Sequence, residues 1–301
     1  MRKLQPTWLP IVGNCKIVKG VLKYTPALIA EGENKGSPTF TLMKSNQMFE
    51  SGTVTVRARI GDPEGKVQIG FSNGHAVEVF AGLNIGSAAY GVATLSSNRW
   101  ENFQTAAYGT PPPVGRDILI KVTVAGSQVM MWIDDVEVVR GTFPIRRAQL
   151  TILFMGQKPV EAELLSLETT KNVAFIVMQF TDEFNSLYKE VITPVCSAYG
   201  FTPVRADDIY NNGLIVEDIA RSIRESALVI ADITPDNPNV YYEVGYAHGL
   251  GKPTILLAER RREALPFDVS GFRTIFYENT IGGKALVEER LRKHIANLQD
   301  R

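Results

Sequence analysis

Residues 227–258, with the sequence ALVIADITPDNPNVYYEVGYAHGLGKPTILLA, contain the pattern that decides the fold of the second half of the chain. An apolar run of strand length lies at each end of this segment. Between the two runs, Asn237 can cap a helix that starts at Pro238, and Gly249 can end that helix. A strand, a helix and a second strand in this order predict a unit of a parallel sheet.

The same alternation continues through the rest of the second half. We predict strands at 172–180, 201–205, 227–233, 253–258 and 273–277 and, besides a helical stretch after the first strand, helices at 215–225, 238–250 and 284–298. Five strands alternating with helices predict a doubly wound α/β domain with a parallel five-stranded sheet of flavodoxin-like order. Ligands of such sheets bind beyond the carboxyl ends of the strands.

The first half has a different pattern, in which apolar and polar residues alternate over short runs separated by turn residues. These runs are 53–60, 66–71, 76–80, 117–124, 128–133, 137–139 and 148–154. Alternation with period two predicts antiparallel strands, and many such strands predict an all-β jelly-roll sandwich. We therefore expect two domains, a sandwich over residues 1–169 and an α/β domain over residues 170–301.

Composition narrows the function classes. The 301 residues are 45% hydrophobic and 21% charged, which indicates a folded globular protein. The 32 basic and 32 acidic residues balance, so the protein has no net electrostatic field that would attract nucleic acid or an anionic membrane. Two cysteines exclude a disulfide framework, and the scattered His75, His248 and His294 argue against a zinc site. We expect no bound metal, with a carboxylate-bound Mg²⁺ as the alternative. No secretion signal or membrane span is evident, so we expect a cytoplasmic protein.

Glu243 is the strongest candidate for a functional residue. At helical spacing it shares a stripe with the apolar residues Val240, Ala247 and Leu250, which we expect to face the sheet. A carboxylate in an apolar stripe is costly unless it is paired or used in function. A buried ion pair or hydrogen-bonded tether is the alternative. Asp232 ends the apolar strand that precedes this helix, at the edge where such sheets present their sites.

The second half resembles the nucleoside 2-deoxyribosyltransferase-like family and, in topology, bacterial TIR-like domains. The resemblance lies in ADITPDNPNVYYEVGYAHGLGKP, with FIVMQF, VRADDI, EDIARSI and LPFDVSGFRTIFY around it. It implies that Glu243, within a Tyr-Glu-x-Gly-x-Ala motif, attacks the anomeric carbon of a nucleoside, or acts as the catalytic glutamate that cleaves the nicotinamide–ribose bond of NAD.

The same resemblance assigns roles to further residues. Asp218 is the first candidate for a second acid, followed by Asp232 and Asp207, although Asp218 can also be a solvent-facing acid of the first helical turn. The other expected substrate-binding residues flank Glu243 or follow the first strand: Met178, Gln179, Phe180, Asn239 and Tyr242. Phe180 stacks on a base or belongs to the core. We expect the basic run 260–262, in the loop after the fourth strand, to be a solvated loop, with contact to a phosphate as the alternative.

The first half resembles concanavalin-A-like or laminin-G-like domains in GRDILIKVTVAGSQVMMWIDDVEVV, GTVTVRARI and GKVQIGF. This resemblance implies a sandwich that binds a glycan or a protein. We expect Trp100 and Trp132 to lie in its core, with a sugar-stacking platform as the alternative.

The expected function is therefore cleavage or transfer at an N-glycosidic bond of a nucleotide, with NAD as the first choice and bacterial antiviral defence as the context. A metabolic nucleoside or nucleotide transferase or hydrolase, and a non-catalytic protein that binds a nucleotide signal, are the alternatives. We expect no cofactor, a nucleotide as the small-molecule ligand, an unknown glycan or protein ligand for the sandwich, no nucleic acid or membrane partner, and a homo-oligomer.

Overall fold

The computed structural model describes residues 6–27, 39–72, 77–97, 99–143, 145–206, 215–260, 262, 265 and 271–299. The chain divides into two compact units. The first consists of Met1–Val124 and Gln128–Thr170, and the second of Ala125–Ser127 and Lys171–Arg301.

The first unit consists of two antiparallel sheets, each with seven strands among the described residues. Its strands are β1 (Trp8–Val12), β2 (Cys15–Val18), β3 (Val21–Tyr24), β4 (Thr41–Phe49), β5 (Gly52–Ile60), β6 (Lys66–Ser72), β7 (Val77–Ile85), β8 (Ala88–Ser96), β9 (Arg99–Tyr108), β10 (Ile118–Ala125), β11 (Gln128–Ile133), β12 (Val136–Thr142), β13 (Ala148–Met155) and β14 (Val160–Thr169). One sheet has the order β1-β4-β13-β6-β7-β8-β9, and the other β12-β11-β10-β5-β14-β3-β2.

The core of the first unit lies between these two sheets. In β10 every second side chain is buried, and the antiparallel register places Val122 opposite Val54 and Ile120 opposite Val56 of β5. The same core contains aromatic side chains such as Phe154 of β13. Strict alternation of this kind buries one face of each sheet and leaves the other accessible, which is the arrangement of a sandwich.

The tryptophans are not placed as predicted. Trp8 is the tryptophan that enters the core, with 5% of its surface exposed, whereas Trp100 is 40% exposed on the edge strand β9. Trp132 is half-buried, and the ammonium of Lys121 lies 4.9 Å from the centre of its ring. The core prediction is therefore wrong for Trp100, whose ring lies 5.5 Å from that of Phe80, a residue of a small cluster separate from the main core.

The second unit contains a parallel sheet of five strands. Its elements are β15 (Asn172–Val177), α1 (Asp182–Leu187), a π-helical turn (Tyr188–Ile192), α2 (Thr193–Ala198), β16 (Phe201–Arg205), α3 (Ile215–Glu225), β17 (Leu228–Asp232), α4 (Pro238–Gly249), β18 (Thr254–Glu259), β19 (Thr274–Tyr277) and α5 (Ile281–Gln299). The order is β16-β15-β17-β18-β19, and each neighbouring pair is parallel.

Both faces of this sheet are covered. On one face Ile176 and Ile230 pack with Val195 of α2 and Leu291 of α5. On the other face, strand residues such as Val229 pack with Ile223 of α3 and with α4. The chain thus combines large antiparallel sheets with a smaller parallel sheet, as the sequence predicts. Within the described part of the chain, no helix has the length and apolarity that a bilayer span requires.

Candidate functional site

The carboxyl edge of the parallel sheet brings together polar side chains from several strands. The connection after β15 leads to β16 and the connection after β17 leads to β18, so the two diverge on opposite sides of the sheet and the switch point of the topology lies between β15 and β17. Directly after β15, Met178 is buried, whereas Gln179 is exposed and the ring of Phe180 is 53% exposed. Phe180 is therefore not a core residue.

Asp232, the last residue of β17, is held in a buried network. Its Oδ2 accepts a hydrogen bond of 2.7 Å from the hydroxyl of Tyr277, and its Oδ1 accepts one of 2.9 Å from the backbone N–H of Thr234. The hydroxyl oxygen of Thr234 in turn accepts a hydrogen bond from the backbone N–H of Glu259. The network joins the ends of β17, β18 and β19, and only 1% of the surface of Asp232 is exposed.

Burial raises the pKa of Asp232 to about 6, and the nearby charge of Glu259 adds to that rise. The hydrogen bonds from Thr234 and Tyr277 stabilise the carboxylate and limit the rise. Burial also raises the pKa of Tyr277 above its ordinary range. Tyr277 therefore remains a neutral donor to Asp232.

Glu243 lies on α4, which begins as predicted. The side chain of Asn237 caps the helix by accepting a hydrogen bond of 3.0 Å from the backbone N–H of Asn239, and Pro238 is the first helical residue. The buried side of α4 is formed by Val240, Val244 and Ala247. The buried stripe is centred on Val244, whereas the sequence analysis expected it to be centred on Glu243. Glu243 therefore lies beside the stripe and is half-buried.

The side chain of Glu243 is half-buried. Burial alone raises the pKa of Glu243 to about 7. Within the described part of the chain, it has no hydrogen bond or ion pair with another residue. The buried ion pair and the tether, which were the alternatives for this residue, are thus not formed with any described residue. A half-buried acid with a pKa near neutrality can donate a proton and later accept one.

Arg205 is a buried cation at the same edge of the sheet, and the sequence analysis did not single it out. It is the last residue of β16, is 5% exposed, and donates a hydrogen bond of 2.7 Å to the side-chain oxygen of Asn185. Its guanidinium lies 5.1 Å from the ring centre of Phe180 and 4.6 Å from that of Tyr188. Its position as a charged residue at the end of a predicted strand was the one signal in the sequence, and that signal does not reveal its burial.

The remaining predicted residues have different surroundings. Asp218 is buried in the first turn of α3 and forms an ion pair of 2.9 Å with Arg221. Asn239 is exposed, and Tyr242 is 59% exposed with its ring stacked on that of Tyr246. Asp207 lies outside the described residues.

No group of three or more histidine, cysteine, aspartate or glutamate side chains suited to a metal ion occurs among the residues that the structure describes. Cys15 and Cys196 are free thiols. A groove of about 90 Å³ lies between the π-helical turn and the start of α5, and Tyr277 is part of its wall. None of the predicted site residues lines that groove.

Comparison with known proteins gives three results. No protein-family description matches the chain, and no curated protein matches it. Solved structures similar to the chain include a carbohydrate-binding module, CBM66, from Bacillus subtilis, with 11% identity, 53% of this chain and 92% of that chain covered, and a TM-score of 0.40. A prokaryotic β-1,3-1,4-glucanase (lichenase) from a mouse hindgut metagenome has 11% identity, with 54% of this chain and 91% of that chain covered, and a TM-score of 0.41.

A β-glucanase from Bacillus licheniformis is a further similar structure, with 10% identity, coverage of 54% and 90%, and a TM-score of 0.41. The similar structures are thus carbohydrate-binding and carbohydrate-cleaving proteins. The comparisons do not bear out the resemblance to the nucleoside 2-deoxyribosyltransferase-like and TIR-like proteins, nor the expectation of nucleotide or NAD cleavage in bacterial defence. The alternatives of a nucleoside transferase and a nucleotide-signal binder are not borne out either.

The physical reason for the error lies in the motif itself. An apolar strand that ends in Asp232, an Asn237 cap and a proline-started helix are features that a doubly wound fold needs to form its strand–helix connection. Such features identify a fold, and a fold does not determine a reaction.

Proposed function

We propose that the chain is an enzyme that cleaves or transfers a glycosidic bond of a carbohydrate, with Glu243 as its acid–base group. The observation that carries the proposal is the half-buried carboxyl of Glu243, whose pKa of about 7 is due to burial and which has no partner among the described residues. Glycosidic cleavage requires an acid that is protonated near neutral pH, because the leaving oxygen must receive a proton.

The second carboxyl group in this proposal is Asp218. It lies on α3, which packs against α4, and its ion pair with Arg221 fixes the orientation of the carboxylate. A carboxylate in this position would stabilise the positive charge that develops on the sugar, or attack the anomeric carbon. Asp232 has a supporting role, because its oxygens are already engaged by Tyr277 and Thr234. This chemistry needs no cofactor.

Exposed aromatic rings support a carbohydrate ligand. Phe180 and Tyr242 are both more than half exposed in the unit that contains Glu243. Sugar-binding sites combine apolar ring faces with a few polar groups that fix the orientation of the hydroxyls. Gln179 and Asn239, both exposed, are the polar groups that we assign to this role.

For the first unit we propose glycan binding at strand β9. Trp100, Phe103 and Tyr108 are 40%, 43% and 70% exposed on this edge strand. Asn102 and Ala107 have positive φ angles of 53° and 61°, a strained conformation for residues other than glycine that is often found at functional sites. A protein that only binds a glycan through β9, without cleaving it, is the second candidate function.

The decisive experiment for the enzyme is incubation of the full chain with a panel of oligosaccharides labelled at the reducing end, followed by chromatography. We expect wild type to release shorter labelled products, and Glu243→Gln to lose at least about a hundredfold in rate. Glu217→Gln is the matched control, since Glu217 is an exposed acid on α3. Equal cleavage by Glu243→Gln and wild type, or no cleavage of any glycan, would refute the proposal.

Binding at β9 is tested separately with the same glycans by calorimetry. Trp100→Ala and Tyr108→Ala should weaken binding by about tenfold each, because each removes one stacking surface. Val136→Ala, which removes an exposed apolar side chain from another strand, should leave the affinity unchanged. If binding survives without cleavage activity, the second candidate function holds.

A further inference from the structure

Arg262 belongs to the basic run 260–262 that was expected to be a solvated loop, yet its side chain is only 7% exposed. One of its terminal nitrogens donates hydrogen bonds to the carbonyl oxygens of Ile233 and Thr234, the latter at 3.0 Å. The other donates to the carboxylate of Asp236 and, at 2.6 Å, to the hydroxyl of Tyr241. The prediction of a solvated position is therefore wrong for Arg262.

These four acceptors all lie on the connection from β17 to α4 and on the first turn of that helix. The connection is closed on itself by a hydrogen bond of 3.0 Å from the hydroxyl of Tyr241 to the carboxylate of Asp236. A guanidinium is a planar fork with five donors, so it can hold several acceptors in one fixed geometry. Burial of such a cation is costly without hydrogen bonds, and here the acceptors of one segment supply them.

The held segment leads directly to the proposed acid. Tyr241 is two residues before Glu243, and both belong to the helix α4. On its other side, the same connection is fixed to the buried network, because the N–H of Thr234 donates to Asp232. The start of α4 is thus held from two sides, and Arg262 supplies the contact that comes from the segment after β18.

We infer that Arg262 is a positioning residue for Glu243. Arg262 fixes the first turn of α4 and thereby determines how deeply the carboxyl group of Glu243 is buried. The inference rests on the proposed function for the role of Glu243, but the contact itself is independent of the reaction. Arg262 touches no reacting atom in this scheme and acts through Tyr241 and the connection.

The test compares the full chain as wild type, Arg262→Ala and Arg262→Lys, with Arg260→Ala as the matched control. Arg260 lies two residues earlier, and its exposed side chain forms an ion pair of 3.6 Å with Glu278. The readout is the titration of the Glu243 carboxyl by carbon NMR, assigned with Glu243→Gln. A second readout is the pH profile of glycan cleavage.

In Arg262→Ala we expect the titration midpoint of Glu243 to fall by about one pH unit, because a loosened helix start hydrates the carboxyl group. Arg262→Lys keeps the charge but loses the fork, so it should show a smaller fall in the same direction. Arg260→Ala should titrate like wild type. The lysine variant also serves if the alanine variant does not fold.

An unchanged titration of Glu243 in both folded Arg262 variants, or an equal fall in Arg260→Ala, would overturn the inference. The titration of Glu243 can be measured even if the chain cleaves no glycan, so a failure of the proposed function can be distinguished from a failure of this inference. If Glu243 of wild type already titrates in the ordinary glutamate range, both this inference and the role of Glu243 are overturned.

Discussion

The hydroxyl of Tyr277 donates a hydrogen bond of 2.7 Å to Oδ2 of Asp232, and this bond connects β19 with β17 across the intervening strand β18. Both residues are buried, and both end their strands at the carboxyl edge of the sheet. The connection from β17 to α4 starts beside this pair. The hydrogen bond therefore stabilises the ends of β17 and β19, next to the connection that leads to α4 and Glu243.

Tyr277→Phe should destabilise the protein more at pH 7.5 than at pH 4.5. The pKa of Asp232 is raised from 3.8 to about 6, so this group makes folding less favourable as pH rises through that interval, by about 3 kcal/mol in total. Removal of the Tyr277 donor leaves a buried carboxylate with one partner fewer, at a cost of about 1–3 kcal/mol above pH 6. At pH 4.5 Asp232 is mostly protonated, and the loss is smaller.

The measurement is urea-induced unfolding of the full chain at the two pH values. Tyr108→Phe is the control, because the hydroxyl of Tyr108 belongs to a side chain that is 70% exposed in the first unit. An equal loss of stability at both pH values would contradict the assigned role of Tyr277.

Glu243→Gln should leave the free energy of unfolding nearly unchanged at pH 5 and increase it at pH 9. Burial raises the pKa of Glu243 from 4.5 to about 7, so wild type loses stability as pH rises through this range. The glutamine has no charge to desolvate. Because the side chain is only half-buried, we expect a gain on the order of 1–2 kcal/mol at pH 9. Urea unfolding of wild type and Glu243→Gln at both pH values measures this gain in stability. A gain of equal size at pH 5 would argue against burial of the charged carboxylate as its cause.

Local signals made the α/β elements predictable. The helix α3 has the predicted bounds, 215–225, and α4 begins at the predicted proline behind its asparagine cap. Strand β16 also has the predicted bounds, 201–205. In each case the information lies within a few neighbouring residues: an apolar run, a cap or a helix-starting proline.

Contacts between distant parts of the chain were not predictable. Arg262 donates to residues 21–29 positions earlier, and Arg205 lies between the rings of Phe180 and Tyr188, so no local pattern indicates that either guanidinium is buried. In the sandwich, β1 to β3 are short strands whose pairing partners include β4 and β14. These strands are stabilised by pairing with strands that are distant in the sequence, and each is too short for its alternation pattern to predict a strand.

Asn237→Ala should cost about 1 kcal/mol of stability, because the N–H of Asn239 loses its acceptor at the start of α4. Asn237→Asp should retain the stability of wild type, since an aspartate oxygen accepts the same hydrogen bond. Thermal unfolding of the three proteins at neutral pH provides the comparison. If the alanine variant is as stable as wild type, the cap is not a determinant of where α4 begins.

Gly52→Ala should be among the most destabilising substitutions in the sandwich. Gly52 begins β5 with a φ of 127°, and a Cβ atom there would lie 1.9 Å from the carbonyl oxygen of Glu168 in the paired strand β14. Backbone atoms on both sides must move, so we expect a loss of more than about 2 kcal/mol. Gly20→Ala is the control, because Gly20 has a φ of 85° but no atom within 4 Å of the added Cβ. It should show only the strain of a left-handed alanine, about 1 kcal/mol. Urea unfolding of both variants separates the cost of the steric clash with β14 from the cost of the left-handed backbone. Equal losses of stability would mean that the backbone conformation, and not the close approach of β14, requires glycine at position 52.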